Sequence, residues 1–409
     1  MPPDPDLPRT ILLALCAGGA DACDDAQIAA LSGEDWDWIA ARAAQYRLLP
    51  LCHAALSQKP DWPAPGAFRD QCMAAHRYWV FRSLIMQKAL IEIGELLDAH
   101  AIAYAALKGA SLSLEFYAEP ALRPMRDLDI IVAPRDALRA YDLLKHSGFA
   151  KVPGAGDYGL EGNHHLPILQ NANKVYVELH HRIAPRDWEG AQVLGARLLD
   201  NARRVDFQGH AIAMAHPTDT LLHLIVHAAF QHLFDNGPSL LSDMAVLDKS
   251  GLIQPDEVEA FAAQYGLSHS LALARALHAK YCGDAPDAKL DDAAPVPPDL
   301  LAQAADLMTQ DPQLHWQRLL LRKRRQPVRR MIDGVARAFS PSQRDLEAIA
   351  GKPVSGLSAA IHYPRWLWDK TRVYLGAEFK PQLNASADID TRLEVWLGRP
   401  DDAQKEAGR

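Results

Sequence analysis

The sequence predicts an α+β fold, with a small mixed-sheet core flanked by N- and C-terminal helical regions. Three observations carry this. Apolar residues recur at helical spacing on both sides of the centre. Between about residues 101 and 180 the pattern changes to short apolar runs with strand alternation. Within that stretch the order is strand, helix, strand, helix, hairpin, which fits one sheet rather than a helical bundle.

Taken in order, residues 1–60 are Ala/Leu-rich and read as helical, with breaks at Gly33 and Pro50. DWPAPG at 61–66 is a punctuated loop. Residues 69–100 form a strong helical pattern, with Leu84, Met86, Leu90, Ile91, Ile93, Leu96 and Leu97 as its apolar positions. The run at 102–107 reads as a buried strand ending at Lys108-Gly109, with helical character over 111–117. Residues 125–132 form a second strand. Pro134 and Asp136 then open a helix to His146, which Gly148 ends. After a Gly-rich loop at 151–163, residues 165–169 and 174–180 read as a hairpin joined by Gln170, Asn171, Ala172 and Asn173. Helices are expected over 217–248 and 256–281. The expected organisation is a helical region at 1–100, a core at 101–215, a helical domain at 216–282 packing on it, a Pro/Ala/Asp-rich linker at 283–300 and a helical region at 301–409.

Composition narrows the function. In 409 residues the hydrophobic fraction is 49% and the charged fraction 23%, ordinary for a globular chain. A net charge of -8 argues against a protein whose main business is nucleic-acid binding. Cys16, Cys23, Cys52, Cys72 and Cys282 form no CxxC pair or zinc spacing, so free thiols and a cytoplasmic location are expected. The N-terminus has no signal-peptide pattern, and the apolar run at 11–20 is too short to span a bilayer.

The most informative stretch is Arg126-Asp127-Leu128-Asp129-Ile130-Ile131-Val132. Side chains alternate along a strand, so Asp127 and Asp129 share a face and Leu128, Ile130 and Val132 take the other. Two carboxylates on one face repel unless positive charge lies between them. Mg²⁺, or Mn²⁺, meets that need with oxygen ligands and substrate phosphates. The plainer reading is a solvated strand end paired to Arg123 and Arg126. A third acid favours the metal: Glu178 in Tyr176-Val177-Glu178-Leu179-His180 shares a face with His180, and beside the Asp strand it would hold metal or accept a proton. Lys108-Gly109-Ala110-Ser111 sits at a strand-to-helix junction, where free amides and an ammonium favour phosphate. No P-loop pattern is present.

Together the runs ALKGASLSLEFY, LRPMRDLDIIV, HHLPIL with VYVELHHRI, and DTLLHLIVHAAFQHLF with LLSDMAVL resemble the bacterial nucleotidyltransferase family with a polymerase-β-like core, over roughly residues 80–250. The resemblance implies a metal-dependent transfer of a nucleoside monophosphate group from an NTP, ATP among them, to an unidentified hydroxyl or phosphate acceptor. That acceptor would be a small molecule, a peptide or protein, or RNA. By position, Asp127, Asp129 and Glu178 would be the catalytic and metal-binding carboxylates. Lys108, Gly109, Ser111, Arg126 and His180 would border the nucleotide. One departure is visible: the wider superfamily carries a glycine–serine pair shortly before its aspartates, and Lys108-Gly109 stands there with a longer gap.

Other signals compete. A nucleotide-binding scaffold without turnover is the non-enzymatic alternative. A zinc hydrolase is the third reading: His223 and His227, four apart in HLIVH, have zinc-binding spacing, with His232 and Asp235 as further ligands, but the Glu of HExxH is missing, and packed helix histidines are the plainer reading. Asp243, an acid in an apolar helix, would orient a site residue or form a buried ion pair. The basic run from Arg318 to Arg330 would contact a polyanion or form a solvated face, and Tyr363 to Trp368 would anchor at an interface or pack.

Overall fold

The structure is a computed structural model that describes residues 6–153, 156, 159–160, 163–184, 188–282, 295–311, 364 and 390–398. The basic run at 318–330 lies outside the described residues, as do residues 363 and 365–368, part of the 151–163 loop and most of the 283–300 segment.

Four helices open the chain: α1 (Leu7–Gly18), α2 (Asp25–Ala29), α3 (Gly33–Gln45) and α4 (Leu49–Gln58). Gly33 and Pro50 lie in first turns, so the breaks the sequence marks are helix starts. Ser32 and Asp35 cap α3 reciprocally, the Ser32 N–H donating to Asp35 at 2.9 Å. The 34-residue α5 (Gly66–Ala99) follows.

The core alternates β1 (Tyr104–Ala106), α6 (Lys108–Glu115), β2 (Asp127–Val132), α7 (Ala137–His146), β3 (Ala150–Lys151), β4 (Leu169–Gln170), β5 (Tyr176–His180), α8 (Gly190–Asp200), β6 (Arg203–Phe207) and β7 (His210–Met214). The seven strands form one sheet in the order β3-β4-β5-β2-β1-β7-β6. The β2–β5 and β1–β7 pairings are parallel and the others antiparallel, giving the mixed sheet of an α+β fold.

Two cores sandwich this sheet. Leu128, Ile130, Val132, Val177 and Leu179 pack with Leu90, Ile93 and Leu97 of α5 and Ala140 and Leu144 of α7. Ala105, Leu107 and Ile131 face the opposite way, into a core shared with the N-terminal helices and with those after the sheet. Each fully buried aliphatic side chain contributes about 1.5–3 kcal/mol relative to exposure. A one-residue slip of β2 would trade Leu128 and Ile130 for Asp127 and Asp129 on the α5 side, so burial fixes the register.

Beyond the sheet come α9 (Pro217–Val226), α10 (Ser239–Ser250), α11 (Pro255–Gln264), α12 (Ser268–Cys282) and α13 (Pro298–Met308). The single helix expected at 217–248 is broken. A π-helical turn, His227–Gln231, follows α9, and Leu233 and Phe234 take positive φ before Gly237. Both side chains are fully buried, so packing overrides local helix preference there. The helix expected at 256–281 likewise divides at Gly266, with φ +72°.

Asp243 of α10 ties this helical layer to the loop before β2. It accepts from Arg123 Nε at 2.6 Å and Nη2 at 2.8 Å and from Tyr117 Oη at 2.7 Å, and is 1% exposed. Burial lowers the Arg123 guanidinium's affinity for its proton, but Asp243 more than reverses this, and burial with Asp243 pushes the Tyr117 hydroxyl well up. Asp243→Ala leaves a buried guanidinium unpaired. It is expected to lower stability by about 3–5 kcal/mol in urea denaturation, with Tyr117→Phe costing far less.

Candidate functional site

The acids meet because β2 and β5 run parallel in one register. Asp127 pairs with Tyr176, Asp129 with Glu178, and Ile131 with His180. Alternation then puts Asp127, Asp129, Glu178 and His180 on one face. Lys108 arrives from the other side of β2. The Leu107 N–H donates to the Asp129 carbonyl at 2.9 Å. The next residue, at φ +45°, turns the chain into α6 and returns its ammonium to Asp129, Nζ to Oδ1 3.1 Å. His180 Nε2 donates to the same Oδ1 at 2.8 Å and lies 3.6 Å from Glu178 Oε2.

Burial pushes the Asp129 carboxyl up, but Lys108 and the His180 hydrogen bond hold it well below the usual carboxylate range. Glu178 is also lowered, burial being outweighed by the His180 hydrogen bond. Burial alone would depress Lys108 and His180; the acids raise both. Asp127 is the exception. Burial, then repulsion by Asp129 and Glu178, raises it to about 6, against Lys108 and Arg126.

Lys108, Asp127, Asp129 and Glu178 border a cavity of about 380 Å³. Its lining includes Lys108, Gly109, Arg123, Arg126, Asp127, Asp129, His164, His165 and Glu178 from the core, and His227, Gln231, His232, Asn236, Ser239 and Asp243 from the helical layer. Arg47 joins them from the turn between α3 and α4. The π-turn aims two of these groups: His227 Nδ1 donates to Gln231, whose amide donates to the Ile183 carbonyl at 2.7 Å. Burial, then Lys108, holds His227 and His223 well below the ordinary imidazole range, so both are neutral near pH 7.

Two expected nucleotide contacts sit elsewhere. Ser111 is fully buried within α6 and His180 is 1% exposed, and neither lines the cavity. Strand and helix phase alone could not show how deep either lies. His180 instead joins Asp129 and Glu178 as the group that could hold a metal ion among the described residues, with ligand atoms within 4.8 Å of one another. Asp127 lies beside this set, in the same cavity. The carboxylates suit Mg²⁺ or Mn²⁺, whereas an imidazole donor is more at home on a transition metal. His223 and His227 belong to no such group of three among the described residues. Arg47, Asn236 and Ser239 come from segments without a motif and were not legible as site residues.

The pattern of the family described as uncharacterised nucleotidyltransferase matches residues 32–283, which span α3, the sheet and α12. The chain belongs to that family. No curated protein and no solved structure gave a match. The uncharacterised nucleotidyltransferase family supports transferase activity, and the Asp129–Glu178–His180 group could bind a metal. No helix among the described residues is long and apolar enough to cross a membrane. The cysteines are free, and Cys16, Cys23, Cys52 and Cys72 are buried.

The raised Asp127 has a consequence for stability. Its folded pKa of about 6 exceeds the model-peptide value of 3.8, so folding favours its protonated form. That contribution is present below about pH 4 and is lost as pH rises through 6. In ion-free protein, Asp127→Asn is therefore expected to stabilise by about 1–3 kcal/mol at pH 7.5. The gap should close toward pH 4, and urea titrations at the two pH values measure it.

Proposed function

We propose that this chain is a metal-dependent nucleotidyltransferase, moving a nucleoside monophosphate group from an NTP to a hydroxyl or phosphate acceptor. The observation that carries the reading is the Asp129–Glu178 register beside Asp127, under a cavity also lined by cations. The catalytic unit would be the core at 101–215, with the helices of 1–100 and 216–282 closing the cavity over it.

Asp127, Asp129 and Glu178 would hold the ion, with His180 as a fourth donor or as the group that orients Asp129. When bound, a divalent cation would neutralise the phosphates and stabilise charge on the transferring phosphoryl group. The chain's own residues supply the rest. Lys108 and Gly109, at the start of α6, would face the phosphates, and Arg126 would add a cation at the mouth. The acceptor oxygen would attack the α-phosphorus as the bond to the β-phosphate oxygen breaks and pyrophosphate leaves. The proton of an attacking hydroxyl would pass to a carboxylate, Glu178 being ionised and adjacent.

The acceptor would lie against the helical layer, beside Asn236 and Ser239, and would be a small molecule, a peptide or protein, or RNA. A polyanion contact at Arg318 to Arg330 would fit the last of these. A cytoplasmic site of action agrees with the buried free thiols.

The test is label transfer from each α-labelled NTP, with Mg²⁺ or Mn²⁺ and host lysate as acceptor source. Asp127→Asn and Asp129→Asn are expected to reduce transfer by at least about 10²–10³-fold with the fold retained. Undiminished transfer in either variant removes the reading. Metal-dependent NTP binding with no transfer to any acceptor would favour the scaffold alternative.

A further inference from the structure

The cavity holds four cations, and they are not used alike. Lys108 is paired to Asp129, and Arg123 is paired bidentately to Asp243. The guanidiniums of Arg47 and Arg126 line the same cavity with no ion pair or hydrogen bond among the described residues. Arg126 is exposed, as a strand-end arginine can be without consequence. Arg47 is different, because it is half-buried. Burial, then repulsion from Arg126 and Arg123, lowers its guanidinium to about 10, with Asp127 opposing. Guanidiniums gathered in a partly desolvated cavity without their own carboxylates form an arrangement that an anion completes.

The backbone points the same way. α3 ends in paired turn bonds, the Leu48 N–H to the Ala43 carbonyl at 2.7 Å and the Arg47 N–H to the Ala44 carbonyl at 3.2 Å. The residue at the left-handed position of such a C-terminus is usually glycine. Here it is Arg47, at φ +60°. The turn is also held in place. Tyr46 Oη donates to the Gln310 carbonyl at 2.9 Å, and the Tyr46 ring lies so close to Gly237 that a Cβ there would come 2.4 Å from Cδ1. An unfavoured side chain is thus fixed on a braced turn and directed at the cavity that holds the acids.

We propose that Arg47 and Arg126 form a phosphate subsite that grips the polyphosphate tail of the nucleotide, so that the N-terminal helices contribute directly to the binding site. The proposal rests on the nucleotidyl-transfer reading of the cavity and extends it to a residue outside the core. A polyphosphate fits both ends: its metal-bound oxygens meet the carboxylates, and its remaining charge meets the arginines. A carboxylate ligand of one charge would satisfy only the second.

The test is calorimetric binding to the full chain with Mn²⁺, using inorganic tripolyphosphate and the α,β-methylene analogues of the four NTPs, which nucleotidyl transfer cannot cleave. Nucleoside monophosphates serve as the comparison. The variants are Arg47→Gly, which suits the left-handed backbone and is expected to melt no lower than wild type, and Arg47→Lys. Arg47→Gly is expected to weaken triphosphate and tripolyphosphate binding by about 10- to 100-fold while sparing the monophosphates, and Arg47→Lys to recover part of the loss. Equal affinities in wild type and Arg47→Gly, or a loss shared equally by the monophosphates, overturn the subsite and leave the transfer reading standing. A wild type that binds none of the triphosphate probes overturns both.

Discussion

Asp129 and Glu178 stand opposite each other on parallel strands, and carboxylates at a strand spacing of about 4.8 Å repel unless positive charge reaches them. Much of the local structure answers that requirement. Lys108 accepts a positive φ at the strand-to-helix junction, and from there its ammonium reaches Asp129. His180 gives up solvent to donate to the same oxygen, while its buried Nδ1 has no hydrogen-bond partner among the described residues. With Lys108 and His180 bonded to Asp129, burial and repulsion outweigh the pull of Lys108 and Arg126 on Asp127, and its affinity for a proton rises. A divalent ion would reverse that imbalance, and the Asp129, Glu178 and His180 group could hold one.

The sheet can carry these acids only because its two faces are treated differently. Against α5 and α7 the strands present Leu128, Ile130, Val177 and Leu179, and that core sets the register. The opposite face is apolar only in part, and the helices beyond the sheet stand over the acids and leave a cavity there. Arg123, Tyr117 and Asp243 join the two layers through buried polar contacts. A buried ion pair is weak support for stability in itself but costly to break. Its use here is positional: it fixes the loop leading into β2 against α10, and so fixes where the Asp strand begins relative to the cavity wall.

How much of this was legible in the sequence depends on the range of the interaction that decides it. Alternation along β2 and β5 is local, so the shared faces of Asp127 with Asp129 and of Glu178 with His180 could be read directly. The hairpin at 165–180 was legible for the same reason, and β4, β5 and the His165–His180 bridge realise it. The hairpin of β6 and β7 was not. Its first strand is half-exposed and charged at Arg203, Arg204 and Asp206, and it turns at Gln208-Gly209, both at positive φ, without the usual asparagine. The break after α9 was hidden because Leu233 and Phe234 look like helix residues and are bent by tertiary burial. Arg47 was out of reach for a stronger reason: nothing near it in sequence marks it, and only the packing of the Tyr46 turn on Gly237 brings it to the acids.

The charges of the cavity lining bear on what the site could hold. Arg47, Lys108, Arg123 and Arg126 face Asp127, Asp129, Glu178 and Asp243, so signs balance in number. They do not balance in space. Lys108 with Asp129 and Arg123 with Asp243 neutralise each other, whereas Arg47 and Arg126 make no ion pair with Asp127 or Glu178 although all line one cavity. If charge neutrality alone had shaped this surface, the long, flexible arginines would have closed onto the remaining acids. They are kept apart by the braced turn at Tyr46 and by the end of the Asp strand. A ligand that carries cation at one end and anion at the other, as a metal-bound polyphosphate does, satisfies both leftover pairs at once. The separation of the charges, more than any one residue, is the feature on which the proposed nucleotidyl transfer rests.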